Sequence, residues 1–311
     1  MKKSIFRFSS VIVLILLLWN PPLACKGAGN GLMLWAQVVL PTLLPFMICS
    51  NVIVALNAIG LLTYPFRPLL TSFFHLSGSG SYVLVSGLLC GYPMGAKTCS
   101  EFLNAGSITT EEARYLLAIC NHPSPMFLLG YVMAMLPGGF SPLLLMLSIY
   151  LPILPIAWAA RRVYHAGDGT GSAKPAPRGD WSFDDMLMGS FEVMVKIGGY
   201  IMLFSILAAY LTLLPLKSSA VKAVILGFVE ITTGIQVISS AIPGSSAALF
   251  IILSAAFGGM SGIFQAKSVL IRSQDAKNAG LSIRHYVIWK GIHAALSGIL
   301  FLLLKSLPLL A

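Results

Sequence analysis

Apolar positions along this chain come in runs long enough to cross a bilayer. A helical span takes about 20 mostly apolar residues. Residues 11–24, 32–59, 115–136, 143–160, 187–216 and 288–309 answer to that pattern. The first run is short, and the second and fifth are long enough to tilt or break. Two further runs stop after about ten residues, which is some 15 Å of helix, or half a bilayer. SYVLVSGLL runs into C-G-Y-P-M-G-A-K at 90–97, and AALFIILSAAF runs into G-G-M-S-G at 258–262. Gly91 and Gly95 allow close approach and unusual dihedrals, and Pro93 enforces a break. The pattern predicts a re-entrant hairpin with its tip at Gly91–Gly95 near the midplane and its return arm from Met94 to Asn104. A second hairpin is expected with its tip at Gly258–Gly262. Broken backbone at that depth needs burial in protein or a wet cavity, and its free N–H and C=O groups suit a polar or anionic ligand.

The order of elements repeats. Each half opens with a long helix (30–58, 187–215) and continues through a broken or polar segment (63–78, 221–240). Each then has an apolar run into a glycine cluster and a polar-tinged helix ending in Asn-Ala-Gly, at 104–106 and 278–280. An apolar helix closes each half. The expected fold is therefore an all-α polytopic membrane protein of two structural repeats, each with a re-entrant hairpin and related by inversion. The expected units are an N-terminal transmembrane helix at 1–29, a first repeat with its connecting helix at 30–161, a linker at 162–185 and a second repeat at 186–311. The linker, rich in Gly, Pro and charge, is expected in the cytoplasm. Its Arg-Gly-Asp at 178–180 reads as incidental. An inverted second hairpin would leave Lys267, Arg272, Lys277 and Arg284 outside, against the usual charge rule. If 221–240 crosses the membrane instead, the repeat is not simply inverted.

Composition agrees with a bilayer as solvent. Of 311 residues, 57% are hydrophobic and only 10% charged, against about 25% charged in a soluble domain. The net charge of +10 is accounted for by Lys and Arg in loops that stay inside the cell, and no aromatic-basic patch points to nucleic acid. The five cysteines form no C-x-x-C pair and read as packing residues. The N-terminus has the outline of a signal peptide, but Pro22-Leu23-Ala24-Cys25 is a poor lipoprotein cleavage site, so a retained first helix is expected.

The stretches GLMLWAQVVLPTLLPFMICS, SGLLCGYPMGAKTCSEFLNAGSITTEEA and CNHPSPMFLLG resemble the YlbJ (SpoVV) type of sporulation integral membrane proteins, and GFVEITTG and FGGMSG extend the likeness into the second half. These proteins are placed in the nucleoside-recognition, or Gate, superfamily, whose other members are similar to halves of concentrative nucleoside transporters and to the membrane gate of FeoB iron transporters. The resemblance runs from about residue 30 to the C-terminus. It implies a secondary-transporter-like fold with paired hairpins and a role in spore formation, where the group is associated with moving dipicolinic acid. Gly-Tyr-Pro-Met-Gly-Ala-Lys is the specific motif, and Gly-Gly-Met-Ser-Gly is weaker.

The candidate substrate-binding residues are Gly91, Tyr92, Pro93, Met94, Gly95 and Lys97 of the first tip; Asn121 and Ser124 where two prolines interrupt the helix at 115–135; Glu230, Thr232 and Thr233; and Gly258, Gly259, Ser261 and Gln265 of the second cluster. Glu230 stands in an apolar segment, where a charge costs at least ~2.5 kcal/mol and by default faces a cavity or partner. It is the candidate proton site. Lys97 either holds a carboxylate substrate or pairs with Glu101 at i,i+4. His122 reads as a structural histidine, Glu192–Lys196 as an i,i+4 pair, and Lys290 and His293 as side chains that snorkel. Gly259-Met260-Ser261-Gly262 matches the G-x-S-G of rhomboid proteases, with His293 available, but the rest of that pattern is missing.

The expectation is a multi-pass transporter in a bacterial inner or plasma membrane. It would move a small polar or anionic molecule, with H⁺ or Na⁺ coupling and a homo-oligomer left open. No enzyme activity, cofactor or metal is expected. The alternative is a non-transporting scaffold of spore maturation, and the remote one is an intramembrane serine protease.

Overall fold

A computed structural model describes residues 11–15, 17–56, 58–166, 182–270 and 280–306. Among these residues the chain is almost entirely helical, with no strand. Five helical stretches are long and apolar enough to cross a membrane: Pro21–Ile53, Pro142–Tyr164, Phe183–Leu211, Gly244–Leu270 and Ile283–Leu304.

The first of these begins where the N-terminal run was expected to end. Asn20 caps helix α1 (Pro21–Leu34), its Oδ1 accepting from the Leu23 N–H at 3.2 Å, with prolines at the first helical positions. Pro fits there because that N–H has no partner in a helix anyway. A π-helical turn at Trp35–Val39 leads into α2 (Leu40–Ala55), so the boundary expected at residue 29 falls inside a helix. The linker at 162–185 lies mostly outside the described residues, as do the Arg-Gly-Asp and most of the second Asn-Ala-Gly.

Two helical hairpins follow the long helices. Helix α3 (Gly78–Cys90) starts at Ser77, whose Oγ accepts from the Gly80 N–H at 2.9 Å. It stops at Gly91, with φ of 79°, and α4 (Met94–Asn104) folds back along it. At about 20 Å and 16 Å of rise these arms are too short to span. The second hairpin is α10 (Ser219–Val229) and α11 (Ile231–Ala241), closed by the single residue Glu230. Gly227 and Gly234 let its arms touch, since a β-carbon on Gly234 would overlap the Gly227 backbone.

This corrects the expected second hairpin. Helices α12 (Gly244–Phe257) and α13 (Gly259–Leu270) do not fold back on each other. Gly258 and Gly259, both at positive φ, interrupt one long element that continues past the break. Segment 221–240, in turn, is not one helix but two, turned back at Glu230.

The first half holds a similar interruption. Helix α5 (Thr110–Ile119) is capped by Thr109 and carries Glu111 and Glu112 in its first turn, where acidic groups meet the positive end of the helix dipole. The chain then loses helical form over 120–124 and resumes as α6 (Pro125–Met135), capped by Ser124. Helices α7 (Pro142–Tyr150) and α8 (Ile153–Tyr164) form the next span, and α9 (Phe183–Leu211) and α14 (Ile283–Leu304) are the remaining long helices. Helix α1 packs along α9, and α12 along α14. Large apolar side chains such as Leu61, Val195, Leu203 and Ile299 remain exposed on the outside, as expected where lipid is the solvent.

Candidate functional site

The two hairpin tips and the two helix interruptions converge. Gly91 abuts the first interruption, where a β-carbon would stand 2.8 Å from the Ser124 nitrogen. Gly259 abuts the second tip, where one would stand 3.3 Å from the Ile231 nitrogen. Tyr92 of the first tip reaches the second interruption, its ring 3.6 Å from the β-carbon positions of Gly258 and Gly262. The glycine cluster after Phe257 is thus a bed for an aromatic ring.

Between these pieces lies a cavity of about 50 Å³, lined by Gly91, Tyr92, Ser124, Glu230, Thr232 and Gln265 among the expected site residues. Thr42 and Ile201, from the long helices α2 and α9, close the side. Apolar residues such as Val39, Leu43, Phe127 and Ile197 complete the wall.

Glu230 is the charged residue of this lining and is 1% exposed. Its Oε2 accepts from the Thr232 hydroxyl at 2.6 Å and from the Thr233 N–H at 2.7 Å. The carboxylate therefore caps α11 while facing the cavity, and its Oε1 has no partner. The Tyr92 hydroxyl is also buried without a partner. A buried polar atom left unpaired costs on the order of 1–3 kcal/mol, which makes this lining the candidate site.

Two carbonyls of the first interruption accept side-chain hydrogen bonds. The Tyr150 hydroxyl donates to Pro123 O at 2.7 Å, and Lys290 Nζ donates to Asn121 O at 3.3 Å. The Cys120 carbonyl sits against Gly87 and Gly95, where any β-carbon would overlap it. Asn121 is structural in this arrangement: its Oδ1 accepts from the Ala96 N–H at 3.3 Å, and its Nδ2 donates to the Tyr286 hydroxyl at 2.6 Å. Tyr131 OH donates to Thr232 O at 2.7 Å, joining α6 to the second tip.

Other expected residues fall outside the cavity lining. Lys97 Nζ lies 2.7 Å from Glu101 Oε1, the i,i+4 alternative. Pro93, Met94 and Gly95 begin the return arm. Ser261 Oγ accepts from Gln265 Nε2 at 3.0 Å, while the His293 ring nitrogens face Ile149 O at 2.8 Å and Ala256 O at 3.2 Å. Ser261 and His293 are therefore engaged separately and form no dyad with each other. Glu192 and Lys196 pair at 2.6 Å as expected. No group of His, Cys, Asp and Glu able to hold a metal occurs among the described residues.

Lys290 and His293 differ from expectation. They do not snorkel: they are 2% and 0% exposed. The Lys290 ammonium stands 5.5 Å from the centroid of the Tyr92 ring, and the His293 ring packs edge-on against His122 with centroids 4.2 Å apart. Their position early in α14 resembles that of interfacial residues in sequence. Only the packing of α5, α12 and α14 buries them.

Among known proteins, the sporulation integral membrane protein YlbJ of Bacillus subtilis (strain 168) is 25% identical to this chain over 220 residues. That is 63% of this chain and 54% of the relative, so the match spans about half the relative's length. No protein-family model matches the chain, and no solved structure matches it significantly. The chain is a membrane protein related to a sporulation integral membrane protein.

Proposed function

We propose that this protein is a secondary-type transporter of the Gate kind, located in the cell membrane and moving a small polar or anionic molecule. The observation that carries the reading is Glu230, a buried carboxylate with one free oxygen, aimed into a cavity where two hairpin tips meet. A charge in a membrane interior points to a substrate or ion path by default. A scaffold would be expected to close this junction with apolar side chains.

The order of elements supports two inverted repeats. In each half a long helix is followed by a hairpin of half-membrane length and then by an interrupted helix: α3–α4 before α5–α6, and α10–α11 before α12–α13. On this reading the hairpins are re-entrant, and the tip at Glu230 is the counterpart of Gly91–Pro93. Alternating access would come from movement of one repeat against the other. Glu230 would carry a coupling proton, and dipicolinate is the first substrate to try, given the sporulation relative.

The test is uptake of dipicolinate and of a nucleoside into vesicles holding the protein. Uptake of either, altered in amount and pH dependence by Glu230→Gln, supports the reading. Uptake that is unchanged by the substitution removes the coupling role, and absence of all uptake favours a spore-maturation scaffold.

A further inference from the structure

Lys290 is a buried lysine with no acidic partner among the described residues. It is 2% exposed, and the ion pairs among the described residues join Lys97 to Glu101 and Lys196 to Glu192 instead. Its hydrogen bond to Asn121 O, at 3.3 Å, does not call for a charge. Two residues further on, the Tyr150 hydroxyl serves Pro123 O at 2.7 Å. A neutral donor does this work without the several-kcal/mol desolvation of an ammonium.

The surroundings of Lys290 are short of acceptors in the same way. His122 beside it is 1% exposed, and the Tyr92 hydroxyl is buried without a partner. His122 and His293 lie within electrostatic range of the lysine, the Tyr92 ring faces it, and Tyr286 shares Asn121 with it. Tyr92 lines the cavity that holds Glu230, and its ring faces the Lys290 amine at 5.5 Å. On one face that ring lies against Gly258 and Gly262, which carry no β-carbon, and it also packs against the apolar cluster around Leu128 and Ile231.

We infer that Lys290 is the electrostatic anchor for a carboxylate group of the transported molecule, with the Tyr92 hydroxyl and a His122 N–H as neutral donors beside it. Tyr92 then stands between the cavity and this donor cluster. The ligand class is a small organic anion. The assignment rests on the transport reading and adds to it a residue and a sign of charge.

The experiment uses the full chain in lipid nanodiscs and in proteoliposomes. The probes are benzoate and pyridine-2,6-dicarboxylate, each beside its neutral amide. The wild type is expected to bind a carboxylate more tightly than the matching amide. Lys290→Met and Lys290→Gln are expected to lose ~10-fold or more in carboxylate affinity, the scale of one charged hydrogen bond, with amide binding unchanged. Lys290→Arg is expected to retain most of it. The Gln variant can still donate to Asn121 O, which keeps the fold if that bond alone matters. Carboxylate affinity equal to wild type in the Met and Gln variants overturns the assignment, even if their melting points fall, because the lysine is then structural. A wild type that moves an amide or a nucleoside but no carboxylate leaves the transport reading standing and ends the anion assignment. A wild type that moves none of them ends both.

Discussion

Gly95 lies so close to the carbonyl of Cys120 that a β-carbon would overlap the oxygen, and Gly87 on the facing arm meets the same oxygen. The first hairpin is thus clamped around the backbone at the interruption that follows α5. Gly87→Ala or Gly95→Ala must push the arms off that carbonyl. A loss of about 1–3 kcal/mol is expected, read as a lower melting point in detergent. Gly29→Ala, where nothing lies within reach of a β-carbon, serves as the control and should be silent.

Glu230 holds the start of α11 as well as facing the cavity. Glu230→Gln keeps an oxygen for the Thr232 hydroxyl and the Thr233 N–H, so the hairpin should fold while any proton coupling is lost. Glu230→Ala also removes the cap, at a cost of about 0.5–2 kcal/mol. Thermal melting separates the two: the Gln variant is expected near wild type and the Ala variant below it.

Lys97 is expected to be dispensable for substrate. Its partner Glu101 has a side chain 55% exposed, and a pair of that kind on a helix contributes about 0.3–0.5 kcal/mol. Lys97→Met should leave uptake and stability nearly unchanged. A severe uptake defect would move Lys97 back into the site.

Helices α1 and α9 meet through small residues. β-carbons on Gly27 and Gly31 would stand 2.9 Å from the Cα atoms of Ile206 and Met202, the close approach that glycines four apart permit between membrane helices. Gly27→Ile or Gly31→Ile should separate the helices and lower the melting point, whereas Gly199→Ala, with open space around it, should not.

Ser261 is held by Gln265 and stands apart from the histidine a protease would use. A fluorophosphonate serine probe is expected to leave it unlabelled, and Ser261→Ala is expected to keep whatever uptake the wild type shows. Labelling that vanishes in Ser261→Ala would revive the protease reading.

The sequence by itself determined the helical membrane character, the half-length arms around Gly91, the interruption at Asn121–Pro125 and the placing of a lone charge, Glu230, among apolar neighbours. These follow from local quantities: run length, the dihedral demands of glycine and proline, and the cost of a lone charge among apolar neighbours. It also stated the alternative for Lys97 correctly, because an i,i+4 pair needs only helix geometry.

Tertiary structure decided what depends on two distant segments meeting. Gly258–Gly259 and Gly91–Pro93 look alike as breakers, yet the chain turns back at one and continues at the other. What distinguishes them is the partner: Gly258 and Gly262 leave room for Tyr92, while Gly87 and Gly95 close on Cys120. The true second tip is Glu230, a single residue whose role as a turn appears only once Gly227 and Gly234 bring their helices into contact. Lys290 was hidden for the same reason. A lysine at the start of an apolar helix has the same sequence pattern whether it reaches the interface or is buried, and it is the packing of α5 and α12 against α14 that takes this one out of reach of water.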